Sequence, residues 1–130
     1  MEKEEEWIES IEEINHFLKK TQTFLANDDC QLDIQRDRRD EDLLDPNTTK
    51  NTLLDLGDVN IKDELLSLTV KDYVKTVKDR KRKGDQYYRI FTKQVKGRDI
   101  YIKFKICNLN KIHLMSFHYA KWDIEDRPYK

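Results

Sequence analysis

The sequence predicts an α+β fold in which N-terminal helices pack on a C-terminal antiparallel β-meander. In the first part of the 130-residue chain, apolar side chains recur at three- and four-residue steps, which is typical of helices that bury one face. After about residue 85, apolar and polar side chains alternate between short turns, which is typical of strands. Helices followed by consecutive strands, with no internal repeat, indicate an α+β domain.

The length of the chain predicts one domain over residues 1–130, because a chain of this size can bury a hydrophobic core. Within this domain we expect an acidic helical part over about residues 1–80 and a basic antiparallel sheet over about residues 86–120. Residues 121–130 are expected to form a polar tail.

Two helices are predicted from apolar spacing and from their end signals. The first covers about residues 5–26, where the first turn is acidic and so suits the positive end of the helix dipole. The second begins at Thr48 or Thr49 and ends at Leu56, before Gly57.

The next stretch predicts two further helices. Asp58 or Asn60 is expected to cap the first of them. The second is expected to begin after Thr69, because Thr69-Val70-Lys71-Asp72 resembles a capping box with Asp in place of the usual Glu. This last helix would carry Lys75.

The meander is predicted from strand composition and turns. Residues 86–95 have strand composition, and the turn after them contains a glycine at position 97. Residues 99–107 alternate cleanly between apolar and polar side chains, and residues 112–117 are apolar on both faces, as expected of a central strand. Earlier in the chain, the alternation at residues 32–34 predicts a short additional strand.

Charge is divided unevenly along the chain. Residues 1–70 contain 8 Lys and Arg against 19 Asp and Glu, whereas residues 71–130 contain 17 against 7. A basic surface interleaved with aromatic side chains attracts phosphate backbones and offers rings on which unpaired bases stack. The alternative interpretation is that the acidic and basic halves simply attract each other.

Several classes of protein are disfavoured. The N-terminus is acidic and no apolar run approaches the length of a membrane span, so neither a secretory signal nor a membrane segment is expected. Cys30 and Cys107 are isolated, which fits a reducing compartment, and we expect a cytoplasmic protein. Phosphate-binding glycine loops, nucleophile elbows and metal-ligand spacings are not found, so neither a metal nor a small-molecule cofactor is predicted.

One set of side chains retains catalytic potential. Tyr101 and Lys103 are predicted to share the face opposite the apolar stripe of their strand, and His118 ends the last strand. Metal-free RNA cleavage needs a proton acceptor, a proton donor and cations beside the phosphorus, and His, Tyr, Lys and Arg suit these roles. The candidate catalytic residues are His118, Tyr101 and Lys75, and the candidate phosphate-binding residues are Lys103, Arg89, Arg82 and Lys105.

Each of these residues also has a simpler interpretation. Lys103 and Lys105 can keep an exposed sheet face soluble, and Tyr101 can be a half-buried packing residue. A single His such as His118 is more often a hydrogen-bonded residue at the edge of a core than a catalytic group. The basic loop around Arg82 is equally well explained as a solvated turn.

The C-terminal half resembles the MqsR-like toxins of type II toxin–antitoxin systems, within the RelE-like group of small ribonucleases. The match covers about residues 65–120, and the opening helix fits more loosely. The segments that carry the resemblance are Leu68-Thr69-Val70-Lys71-Asp72-Tyr73-Val74-Lys75, Val95-Lys96-Gly97-Arg98-Asp99-Ile100-Tyr101-Ile102-Lys103 and Ser116-Phe117-His118.

This resemblance implies a compact α+β ribonuclease of the RelE-like or microbial-ribonuclease type that cleaves mRNA without a metal. It implies a cognate antitoxin protein as the partner that holds the toxin inactive. Lys75 and Tyr101 correspond to functional residues of the family, and His118 stands where the founding member has Lys. The family's strand glutamine has a possible counterpart only in Gln86.

The leading hypothesis is therefore a toxin endoribonuclease in which His118 is a general acid or base. Tyr101 would position the substrate or help to transfer the proton. The alternatives are a non-catalytic RNA- or protein-binding module on the same fold, and a protein-interaction domain that docks an acidic partner. We also expect that the acidic residues 1–13 partly shield the basic groove.

Overall fold

The structure is a computed structural model that describes residues 5–35, 44–79, 87–107, 111–121 and 127–130. Within these ranges, three α-helices, one 3₁₀ turn and six β-strands form an α+β fold, so the α+β part of the predicted fold class is confirmed. Of the helices in these ranges, none has both the length and the apolar character needed to cross a membrane.

All six strands belong to one sheet. Its strand order is β1-β3-β4-β5-β6-β2, and β3 to β6 form the antiparallel meander, with β2 added in parallel beside β6. The elements in chain order are β1 (Glu6–Trp7), α1 (Ile11–Leu25), β2 (Gln31–Ile34), α2 (Thr49–Leu56), α3 (Ile61–Leu66), the 3₁₀ turn (Val70–Asp72), β3 (Tyr73–Lys78), β4 (Tyr87–Val95), β5 (Arg98–Cys107) and β6 (Lys111–Tyr119).

The start of the first helix was predicted too early. The helix begins at Ile11, because the Ser10 hydroxyl accepts a hydrogen bond from the Glu13 N–H at 3.1 Å and the Glu13 carboxylate accepts one from the Ser10 N–H at 3.2 Å. This reciprocal capping box fixes the first turn. Residues Glu6 and Trp7 lie before it as β1, which pairs with β3 at the edge of the sheet.

Both ends of α2 and the start of α3 are confirmed. The Thr48 hydroxyl accepts a hydrogen bond from the Asn51 N–H at 3.1 Å at the start of α2. Gly57 follows α2 with a φ of 77°, a conformation that favours glycine. Asn60 caps α3 in the same manner as Thr48 caps α2, and the predicted strand at residues 32–34 is confirmed as β2.

The helix predicted after Thr69 is wrong. The capping box is present, since Asp72 accepts a hydrogen bond from the Thr69 N–H at 3.0 Å, but it closes only one 3₁₀ turn. The chain then extends as β3, because the β-branched side chains of Val74, Thr76 and Val77 favour a strand. Lys75 therefore lies on a strand of the sheet and not on a helix.

The main core lies between α1 and one face of the sheet, which we call the helix face. The Phe17 ring on α1 contacts Phe91 and Phe104, with ring centroids 6.3 Å and 5.2 Å away. A second, smaller cluster lies on the opposite face of the sheet. Its members are Val77, Tyr88 and Ile90, with Val74, Tyr101 and Met115 packed against them.

Helix α2 completes the pairing of β6 beyond the end of β2. The Thr49 hydroxyl accepts a hydrogen bond from the Phe117 N–H at 3.1 Å, and the Thr52 hydroxyl accepts one from the Tyr119 N–H at 3.1 Å. Both threonines are buried. Their hydroxyl groups thus satisfy backbone donors that no neighbouring strand reaches.

Replacing Thr52 with Val should lower the free energy of unfolding by about 1–3 kcal/mol, because the shape is kept while the buried Tyr119 N–H loses its acceptor. Urea denaturation measures this change. Thr23→Val on the exposed face of α1 is the matched control and should shift stability by less than about 0.5 kcal/mol. Equal effects of the two substitutions would contradict the role of Thr52.

Candidate functional site

The opposite face of the sheet carries most of the predicted site residues, arranged in rows across the strands. Residues that face each other in paired strands point to the same side of a sheet. In the first row, Tyr101 on β5 faces Thr92 on β4 and His118 on β6. In the next row, Lys103 on β5 faces Ile90 on β4, which in turn faces Lys75 on β3.

Tyr101 and His118 form a stacked pair. Their ring centroids are 5.1 Å apart and the ring planes differ by 13°. The His118 Nδ1 atom lies 2.9 Å from the Tyr119 carbonyl oxygen. Because a carbonyl oxygen only accepts, Nδ1 donates in this contact, and a neutral ring would then carry its lone pair on Nε2. Both side chains are half-buried.

Lys75 and Lys103 lie in one row with Ile90 between them. Two strand spacings separate their backbones, which corresponds to roughly 10 Å. The Lys75 Nζ atom is 2.6 Å from Oε2 of Glu6 on β1. The Lys103 Nζ atom lies 5.2 Å from the centre of the Tyr88 ring, a cation–π distance.

Lys105 lies on the same face, but its ammonium is held by another group. Its Nζ atom is 2.6 Å from Oδ2 of Asp79 and 5.1 Å from the centre of the Tyr88 ring. Only 5% of Lys105 is exposed. The structure therefore places Lys105 as a buried structural cation between Asp79 and the Tyr88 ring, and the predicted phosphate contact would require the Asp79 pair to open.

Arg89 is separated from the other candidates, because it lies on the helix face. Its guanidinium binds the Glu9 carboxylate through two contacts, Nε to Oε1 at 2.7 Å and Nη2 to Oε2 at 3.2 Å. The guanidinium carbon also lies 4.5 Å from the centre of the Phe17 ring. This geometry ties the segment before α1 to the sheet.

Glu9 belongs to a closed hydrogen-bond network. The Glu9 N–H donates to the Tyr73 hydroxyl, this hydroxyl bonds to Thr76 Oγ1, and Thr76 in turn donates to the Glu9 carboxylate. Burial opposes ionisation of Glu9, but the hydrogen bonds from Arg89 and Thr76 and the charge of Arg89 outweigh it and lower the pKa of Glu9. Burial is also the main reason why the pKa of Tyr73 is raised.

Two of the residues named from the sequence, Arg82 and Gln86, lie outside the described residues. The remaining candidates divide between the two faces of the sheet. Those on the opposite face are Lys75, Tyr101, Lys103, Lys105 and His118, and the one on the helix face is Arg89.

The ion pairs explain part of the charge division along the chain. Among the pairs between described residues, all except Lys105–Asp79 join a carboxylate from residues 1–70 to a basic side chain from residues 71–130. They are Lys75–Glu6, Arg89–Glu9, Lys93–Glu64, Lys111–Asp33, His113–Asp33 and Lys121–Asp45. The acidic residues 1–70 and the basic residues 71–130 therefore do attract each other, as the alternative interpretation of the charge division states. These ion pairs neutralise part of the basic surface.

Sequence analysis missed three residues that shape this face: Glu6, Asp79 and Tyr88. The alternation of apolar and polar side chains along β4 is obscured, because aromatic or apolar side chains lie on both faces of the strand around Tyr88. Glu6 and Asp79 bind lysines from other strands, and such pairs depend on register, which the sequence does not display. Among described side chains, no group of three or more His, Cys, Asp or Glu is arranged to hold a metal ion.

No family model, curated protein or solved structure matches this chain. The resemblance to MqsR-like toxins thus depends on the sequence segments that carry it, and it remains a prediction.

Proposed function

We propose that this protein is an endoribonuclease that cleaves single-stranded mRNA by metal-independent acid–base chemistry, as the toxin of a type II toxin–antitoxin system. The stacked pair of Tyr101 and His118 carries the proposal. A titratable imidazole and a phenol are held side by side on a sheet face that also carries Lys75 and Lys103. The meander in which they lie is compatible with the RelE-like fold that the resemblance implies.

In the proposed reaction, Nε2 of His118 removes the proton from the RNA 2′-hydroxyl. The 2′-oxygen forms a bond to the adjacent phosphorus, and the bond from phosphorus to the 5′-oxygen breaks. The Tyr101 hydroxyl gives its proton to the departing 5′-oxygen, and water returns a proton from the imidazolium to the phenolate. The products are a 2′,3′-cyclic phosphate and a 5′-hydroxyl end.

The cations have a separate role in this proposal. Lys103 lies in the row next to Tyr101, and its ammonium would neutralise the charge that grows on the phosphoryl oxygens. Lys75 would bind a neighbouring phosphate in the same row. We assign neither role to Arg89 or Lys105, because each is bound to a buried carboxylate, whereas the Glu6 carboxylate beside Lys75 is exposed.

We propose that the partner is an antitoxin that presents acidic side chains to the Lys75–Lys103 row. Opposite charges on two proteins accelerate their association and favour the correct partner. An mRNA substrate also implies a cytoplasmic location.

A second candidate function is a non-catalytic module that binds RNA or protein on the same face. The ion pairs favour this function, because Lys75, Arg89 and Lys105 are each paired with a carboxylate. Fewer cations than the sequence predicted are therefore available to stabilise a reacting phosphate, which a module that binds without cleaving does not need. Such a module would bind RNA with an affinity that falls steeply with salt and would leave the RNA intact.

Inducible expression in bacteria, combined with mapping of cellular RNA 5′ ends, tests the proposed function. The proposal expects growth arrest and new, sequence-biased RNA ends after induction. Normal growth with intact RNA, in cells that contain folded protein, would contradict the ribonuclease and favour the binding module.

A further inference from the structure

Lys75 is bound by a carboxylate that the chain itself supplies. Glu6 lies on the two-residue strand β1 and pairs in register with Val77 on β3. Its carboxylate reaches diagonally to the Lys75 ammonium, with Nζ and Oε2 2.6 Å apart. A carboxylate oxygen at this distance occupies the position that a phosphate oxygen would take beside the same ammonium.

The Glu6–Lys75 ion pair is exposed, whereas the Glu9–Arg89 ion pair, made three residues further along the same segment, is buried. The Lys75 and Glu6 side chains are 36% and 49% exposed, whereas the Glu9 side chain in the Arg89 pair is 6% exposed. Exposed ion pairs contribute little to stability and are readily exchanged for other partners. The buried pair therefore holds the N-terminal segment on the sheet, and Glu6 is left to compete for Lys75.

We propose that Lys75 is an anion-binding site for an RNA phosphodiester and that the Glu6 carboxylate is a built-in competitor of the phosphodiester for this site. The proposal rests on the proposed function for the identity of the ligand. A phosphate of single-stranded RNA displaces the carboxylate from Lys75, and the Glu6 side chain turns into solvent. The acidic segment thus lowers RNA affinity through one specific carboxylate.

The test measures dissociation constants for a short fluorescein-labelled oligouridylate. Glu6→Gln removes the competing charge at constant size, and Glu12→Gln is the matched control on the exposed side of α1. Glu6→Thr is a second variant that removes the carboxylate and preserves strand propensity. Glu6→Gln is also combined with Lys75→Met, because a competitor for Lys75 has no effect once Lys75 is absent.

We expect Glu6→Gln and Glu6→Thr to tighten oligouridylate binding about two- to fivefold, as the exchange of one exposed ion pair implies. The slope of log affinity against log salt should steepen by up to about 0.7, the value of one phosphate contact on a single strand, because in the wild type salt also weakens the Glu6–Lys75 pair that the phosphate displaces. Glu12→Gln should produce neither change, and the combined variant should bind as Lys75→Met does.

The outcomes separate this inference from the ribonuclease. If cellular RNA stays intact in the expression test and Glu6→Gln still binds oligouridylate more tightly than the wild type, the anion site stands and the ribonuclease is contradicted. If Glu6→Gln and Glu12→Gln bind alike, the inference is overturned whether or not RNA is cleaved. An effect of Glu6→Gln that persists without Lys75 overturns it as well.

Discussion

Replacing His118 with Ala is expected to lower the rate of RNA cleavage by about 10²–10⁴-fold, because this substitution removes the group proposed to accept the 2′-hydroxyl proton. Affinity for RNA should change little, since His118 is expected to act on the reacting atoms and not on the phosphate backbone. Single-turnover cleavage of a labelled RNA separates the two quantities.

His113→Ala is the matched control for this prediction. His113 lies on the same strand and, like His118, on the opposite face of the sheet, but its Nδ1 atom binds Asp33 at 2.7 Å and its ring does not stack on Tyr101. The control should cleave at nearly the wild-type rate. If both variants lose activity equally while remaining folded, the specific role of His118 is wrong.

Replacing Arg89 with Met is expected to lower the free energy of unfolding by about 3–5 kcal/mol at neutral pH. The substitution leaves the Glu9 carboxylate, which is 6% exposed, without its bidentate partner. An unpaired buried charge costs far more than the pair contributed, and the methionine replaces only the apolar packing on Phe17. Chemical denaturation of wild type and variant measures the difference.

The effect should depend on pH with a defined sign. In the folded wild type, the pKa of Glu9 lies below its ordinary value of 4.5, so the stability from its ionised form is present above that value and is lost as the pH falls through the lowered pKa. Without Arg89, burial raises the pKa of Glu9. Protonation of Glu9 then removes the unpaired buried charge, so the variant loses less stability at acidic pH. The stability difference should therefore be largest at neutral pH and narrow on acidification.

Lys75→Met provides the control, because it breaks an exposed pair of the same charge type. Its cost should be within about 1 kcal/mol and should not follow the same pH dependence. Similar losses in the two variants would show that burial of Glu9 does not set the energy of the network.

The helices were predictable wherever a local signal sets their ends. Thr48, Asn60 and Gly57 act within one turn, and the sequence therefore located α2 and α3 correctly. Ser10 and Glu13 carry an equally local capping signal, and reading it would have placed the start of α1 correctly. The missed strand β1 has no such signal, because two residues are too few to display alternation.

The error at β3 arose from two competing local signals. Thr69 and Asp72 form the predicted capping box, but the β-branched residues that follow favour an extended chain. Pairing with β4 then decides the outcome, and such long-range pairing is not visible in the sequence.

The candidate site was predictable only in part, for a similar reason. Alternation along β5 placed Tyr101 and Lys103 on one face correctly, but the contact of Tyr101 with His118 depends on the register between β5 and β6. That register shifts near Lys103 and Phe104, an irregularity that alternation does not reveal. The sequence likewise does not show which face of the sheet Arg89 occupies, because packing against Phe17 on α1 decides it.

The most direct test of the central claim is incubation of the purified protein with a single-stranded RNA in the presence of a chelator, with the ends of the products identified by mass spectrometry. The proposed chemistry predicts fragments with 2′,3′-cyclic phosphate and 5′-hydroxyl ends, and no cleavage at a nucleotide whose 2′-hydroxyl is replaced by hydrogen. RNA that stays intact, or is cleaved equally well at the 2′-deoxy position, would contradict the account.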